Sequence, residues 1–109
     1  QADRRRAMWR WVGEITGDAG YPADSISVWT DGLRDGGIVQ VYANSLSEAE
    51  PVDTGPWVSL LGATSPDWEP DSEGIRLTRE FHGVLTLVGA GEVQVYVTEY
   101  APLTAGGAS

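Results

Sequence analysis

Residues 83–100 read GVLTLVGAGEVQVYVTEY. Two apolar runs, residues 84–88 and 93–97, flank Gly89, Ala90 and Gly91. Glycines on either side of one small residue supply the backbone freedom of a tight turn, so the stretch predicts a β-hairpin. In the second run Val93, Val95 and Val97 fall on one side of the strand, and Gln94, Tyr96 and Thr98 on the other. The first side belongs to a core and the second is wetter. A two-stranded hairpin is marginal in water, so further strands are expected to cover its apolar side.

Upstream, residues 75–81 (IRLTREF) predict a strand with Ile75 and Leu77 toward the core. Residues 57–61 (WVSLL), 38–43 (IVQVYA) and 25–30 (SISVWT, with Ile26 and Val28 inward) read as three more strands. Residues 8–15 alternate, with Trp9, Trp11 and Ile15 on one face; they read as a strand, a short helix beginning at residues 7–11 being the other option. Asp31-Gly32 and Asp35-Gly36-Gly37 are turn signals, and residues 44–56 and 62–74 read as long polar loops. This pattern predicts an all-β fold: an antiparallel β-sandwich or jelly-roll-like domain of about seven to eight short strands. Parallel α/β architecture is disfavoured because no crossover helix is evident.

Residues 37–43 (GIVQVYA) echo residues 91–97 (GEVQVYV) at five of seven positions. The echo reads either as two equivalent strands of a pseudo-symmetric sandwich or as the common composition of good strands.

With 109 residues the chain makes one domain. Its expected organisation is a flexible basic arm over residues 1–6, a single β-sandwich domain over 7–100, and a flexible Gly-rich tail over 101–109. It has no cysteine, hence no disulfide or thiolate metal site. No apolar run approaches the ~20 residues that span a bilayer. Arg4, Arg5 and Arg6 imitate the start of a signal peptide, but the following run is broken by Arg10 and Glu14.

All seven basic residues are arginine, and Arg4, Arg5, Arg6 and Arg10 lie within the first ten. Past residue 10, three arginines face fifteen acids, a formal charge of −12. Such a body repels nucleic acid and anionic membrane. The basic segment suits an acidic patch on a neighbouring subunit, although a solvated tail would carry the same charges.

Little in the sequence announces chemistry. His82 is the single histidine, no thiol accompanies it, and neither a nucleophile elbow nor a phosphate-binding loop is present. A structural role is therefore expected for His82. Residues 67–74 (DWEPDSEG) place carboxylates at every second position, as hard-cation sites do. They depart from the calcium-loop template, however, with glycine eighth rather than sixth. No metal and no cofactor are expected, and the chain reads as a non-enzyme. Its five tryptophans are many for its length. Trp29 shares strand parity with Ser27 and Asp31, away from Ile26 and Val28, and Trp68 sits in a polar loop. These two are the candidate surface aromatics, suited to sugar rings or protein partners. Trp57 and one of Trp9 and Trp11 are assigned to the core.

The order of residues 39–45, 57–61 and 79–97, with the W-V-x-L run Trp57, Val58, Ser59, Leu60 and the closing hairpin, resembles small β-sandwich virion proteins of tailed bacteriophages. These are head-decoration and tail-accessory proteins. The resemblance covers about two-thirds of the chain. It implies a non-enzymatic structural protein, located in the virion, that associates with itself or with a larger protein shell. Arg4, Arg5, Arg6, Arg10, Trp29 and Trp68 are then the candidate partner-binding residues. The alternatives are a carbohydrate-binding module that takes a glycan on its exposed tryptophans, and an acidic inhibitor or immunity-type protein. For these a secreted or cytoplasmic location would apply.

Overall fold

The computed structural model describes residues 2–30, 37–45, 52–64 and 66–102. The chain is mostly β. Helix α1 (Ala2–Gly13) continues into a π-helical turn (Glu14–Asp18) and is followed by strands β1 (Ser25–Thr30) and β2 (Gly37–Tyr42). Helix α2 (Gly55–Leu61), the short strand β3 (Glu69–Pro70) and the long strands β4 (Arg76–Leu87) and β5 (Gly91–Pro102) complete it. The strands form one mixed sheet in the order β1-β2-β5-β4-β3. All neighbours are antiparallel except β2 and β5, which run parallel.

The hairpin is where the sequence places it. β4 and β5 pair from Leu87 opposite Gly91 to Arg76 opposite Pro102, around a turn closed by the Ala90 N–H donating to the Leu87 carbonyl. Val93, Val95 and Val97 are fully buried, as their alternation requires. They lie beside Val39 and Val41 of β2 and Phe81 of β4 on one face of the sheet, and both helices cover that face. Removing a side chain of this size from water stabilises the fold by about 1.5–3 kcal/mol.

Two segments expected as strands are helices. In residues 8–15 the positions packed into the core are Met8, Trp11, Val12 and Ile15, spaced i, i+3, i+4 and i+7. Trp9 lies outside that stripe and is 45% exposed. Residues 57–61 lie in α2, with Trp57 buried and Leu60 and Leu61 packed beside it. Pro56 stands in the first turn of this helix, where its missing N–H costs nothing, and Gly62 closes it. With these segments helical, the described residues hold a single five-stranded sheet with a helical layer, not a seven- to eight-stranded sandwich. The echoing strands are accordingly direct parallel neighbours in one sheet, Val39 beside Val95 and Val41 beside Val97. A crossover through α2, β3 and β4 makes that pairing possible.

Arg4, Arg5 and Arg6, expected in a flexible arm, are helical residues of α1. At the other end β5 continues to Pro102, and the remainder of the expected tail, 103–109, lies outside the described residues. So does the turn signal at 31–36. Leu77 is buried as expected, whereas Ile75 precedes β4 and is 57% exposed.

Gly83 sits in the middle of β4 and decides how closely α2 approaches the sheet. A Cβ there would lie 2.6 Å from the Leu61 carbonyl oxygen and 2.9 Å from Leu61 Cβ. Backbone on both sides leaves no cheap relaxation. Gly83→Ala is therefore expected to destabilise the fold by about 1–3 kcal/mol, read as a lower urea midpoint. A variant as stable as the parent would show that α2 is not seated there.

Candidate functional site

The second face of the sheet carries no helix. The strand register sets its side chains in rows. One row is Trp29, Ile38, Gln94 and Val84, from β1 across β2 and β5 to β4. Its apolar members are open to water: Trp29 is 50%, Ile38 36% and Val84 53% exposed. The next row is Ser27, Gln40, Tyr96 and His82. The His82 and Tyr96 rings stack at 4.9 Å between centroids, and the Tyr96 hydroxyl donates to Gln94 Oε1 at 2.7 Å. That pairing holds two flat rings in place beside the apolar row.

The third row, Ser25, Tyr42, Thr98 and Glu80, is polar. Gln40 Nε2 donates to Thr98 Oγ1 at 3.0 Å, and Thr98 Oγ1 donates to Glu80 Oε2 at 2.9 Å. Beyond it the Tyr42 and Tyr100 rings lie parallel, 6.3 Å apart. Asn44 holds this end of the sheet: its Nδ2 donates to the Tyr100 carbonyl at 2.6 Å, and its Oδ1 accepts from the Tyr100 N–H at 2.9 Å. A hollow of about 280 Å³ lies among Asp24, Ser25, Tyr42, Asn44 and Tyr100. Burial pushes the Tyr100 hydroxyl above its ordinary pKa, and the neighbouring Tyr42 adds to the shift, so the phenol stays protonated at neutral pH. A wider hollow of about 490 Å³ opens among residues that include Asp67, Glu69, Glu80 and Arg79, three carboxylates and one guanidinium. The open face thus grades from apolar at Trp29, Ile38 and Val84 to acidic near β3.

Comparison with known families, curated proteins and solved structures finds no match.

The expected site residues do not converge. Trp29 stands on the open face, as its strand parity indicates. Trp68 does not lie free in its loop: the Arg79 guanidinium covers its ring at 4.3 Å from the centroid. Arg4, Arg5, Arg6 and Arg10 belong to α1, on the helical side of the sheet. Among these, Arg6 reaches Asp3 at 3.9 Å with both side chains largely in water, a pair that contributes little.

Glu99 is a site that the sequence reading does not single out. It is fully buried at the end of the core face of β5. Arg79, directly opposite on β4, brings Nε to 3.0 Å and Nη2 to 2.9 Å of Glu99 Oε1. Thr54 Oγ1 also donates to Oε1, at 3.3 Å, and the Val52 N–H donates to Oε2 at 2.9 Å. Among the described residues, each contact of this carboxylate is to a hydrogen-bond donor, and the Arg79 guanidinium takes the same oxygen, Oε1, that Thr54 Oγ1 reaches. Such an arrangement ties residues 52–54 to the sheet; it does not present a base to a substrate.

The acidic loop is likewise engaged with itself. Asp71 Oδ1 accepts from the Glu73 and Ile75 N–H groups, and Arg76 Nη1 lies 3.0 Å from Oδ2. Desolvation raises the Asp71 pKa, but the surrounding backbone N–H groups and the Arg76 charge outweigh it and hold the carboxyl below its ordinary range. No group of three or more potential metal ligands comes together among the described residues. No helix among them is long and apolar enough to cross a membrane.

Proposed function

We propose that this protein is a non-enzymatic assembly component that docks on protein partners through the open face of its sheet. This is the role of a virion structural protein of the head-decoration or tail-accessory kind. The observation that carries the reading is the exposed row of Trp29, Ile38 and Val84, backed by the stacked Tyr96 and His82 rings. Interface energy concentrates in rigid aromatics surrounded by groups that exclude water, and a flat sheet face with a tryptophan offers that arrangement. The five-stranded scaffold fixes these side chains in register, so little entropy is lost on docking. Chemistry finds less support: the buried carboxylate is neutralised by Arg79, and the His82 ring is stacked on Tyr96.

A glycan-binding reading retains the exposed Trp29 and the parallel Tyr42 and Tyr100 rings beside Asp24 and Asn44. It loses Trp68 as a platform, since Arg79 already occupies a ring face.

The assembly reading is tested by incorporation. Virus particles formed with the parent chain are expected to carry it at a fixed copy number, measured by quantitative mass spectrometry. Particles formed with Trp29→Ser/Val84→Ser are expected to lose most of it. Both side chains are about half exposed, so each substitution should cost about 1–2 kcal/mol and leave the chain folded, which circular dichroism checks. Absence of the parent chain from particles, or undiminished incorporation of the variant, would refute the reading.

A further inference from the structure

We propose that the occupant of the open face is a second copy of this chain, presenting the outward side of its α1. The inference rests on the assembly reading and names its partner. Charge on this molecule is segregated by element. α1 carries Arg4, Arg5, Arg6 and Arg10 against Asp3 alone, a formal +3, while the rest of the chain carries −12.

The geometry of α1 directs that charge outward. Met8, Val12 and Ile15 are buried against the helix's own sheet. On the opposite arc Arg6 and Arg10 stand one turn apart, with Arg5 and Trp9 one turn apart on its flank. Trp9 is 45% exposed and presents a flat aromatic surface that can anchor an interface. The outward surface of α1 is therefore an aromatic anchor set among guanidinium groups.

The open face is its complement. Its apolar row of Trp29, Ile38 and Val84 is flanked by Glu92 on one side, and on the other side Glu80 stands two rows away, beyond His82 and Tyr96. Glu69 lies further toward β3, opposite Thr78. Among the described residues the arginines at that end are engaged, Arg76 with Asp71 and Arg79 with Glu99. Two open faces brought together would oppose carboxylate to carboxylate, so face-to-face pairing of copies is disfavoured. Helix to face opposes arginine to carboxylate and tryptophan to tryptophan. α1 and the open face lie on opposite sides of the sheet, so one copy can donate and accept at once. A head-to-tail contact of this kind closes into a ring or extends as a chain.

The experiment uses the full chain and two variants in light scattering across protein concentration, at low and high salt. The parent is expected to form species larger than a monomer, and salt should reduce them. Arg5→Ala/Arg6→Ala/Arg10→Ala removes the donor side, and Trp29→Ser/Val84→Ser removes the acceptor side. Circular dichroism establishes that both fold. Each variant alone should associate at least tenfold more weakly than the parent. Mixed in equal amounts, they should form a discrete heterodimer and nothing larger, because only one intact contact exists between them. A helix variant that associates as well as the parent would overturn the proposal, as would a mixture that stays monomeric. A parent that is monomeric at every concentration would also overturn it. Should that monomer still enter particles through Trp29 and Val84, the assembly reading stands and only the identity of the partner fails.

Discussion

Trp57→Ala is expected to destabilise this protein by about 3–5 kcal/mol, a large fraction of the ~5–15 kcal/mol that holds a domain together. Trp57 is fully buried in α2. The edge-to-face contact with Tyr21 lies at 5.0 Å and that with Trp11 at 6.3 Å, and Nε1 donates to the Pro22 carbonyl at 2.8 Å. One side chain thus joins α2, α1 and the segment leading into β1. Truncation leaves a cavity bounded by two aromatic rings and strips the Pro22 carbonyl of a donor. Trp57→Phe keeps much of the volume and loses the N–H, so it should cost less, about 1–3 kcal/mol. Urea unfolding followed by circular dichroism gives both values. A Trp57→Ala chain within about 1 kcal/mol of the parent would show that α2 is not anchored by this ring.

The second large effect is at Arg79. Removing one partner of a buried ion pair leaves the other charge without compensation, at a cost of about 3–5 kcal/mol. Arg79→Ala does this to Glu99, which has no exposure to water. It also uncovers the Trp68 ring and leaves the Val52 and Thr54 donors to a carboxylate with no cation beside it. Arg79→Met/Glu99→Leu removes both charges and keeps bulk, and it should be clearly more stable than Arg79→Ala. Equal losses in the single and double variants would show that packing, not the charge pair, matters there.

Much of this architecture can be read from residues 83–100. The alternation of Val93, Val95 and Val97 gives the core face, and the Gly89-Ala90-Gly91 turn gives the register. Counting outward from that turn places Arg79 opposite Glu99, so the buried pair was within reach of the sequence, although the cover supplied by residues 52–54 was not. The helices were harder for physical reasons. In residues 8–15 the tryptophans at 9 and 11 imitate period two, while the true stripe of Met8, Trp11, Val12 and Ile15 has the helical period. WVSLL fits either period, and only Pro56 before it and Gly62 after it favour a helix. Trp29 was legible as a surface residue from strand parity. Its neighbours Ile38 and Val84 were not, because a row across a sheet exists only once the strand order is known.

On assembly the open face is expected to be covered. Hydroxyl-radical footprinting of the free chain and of the chain within assembled particles tests it side chain by side chain. The expected result is strong protection of Trp29, Ile38, Val84 and Tyr96 on assembly. Unchanged reactivity of these four in the assembled chain would contradict the account.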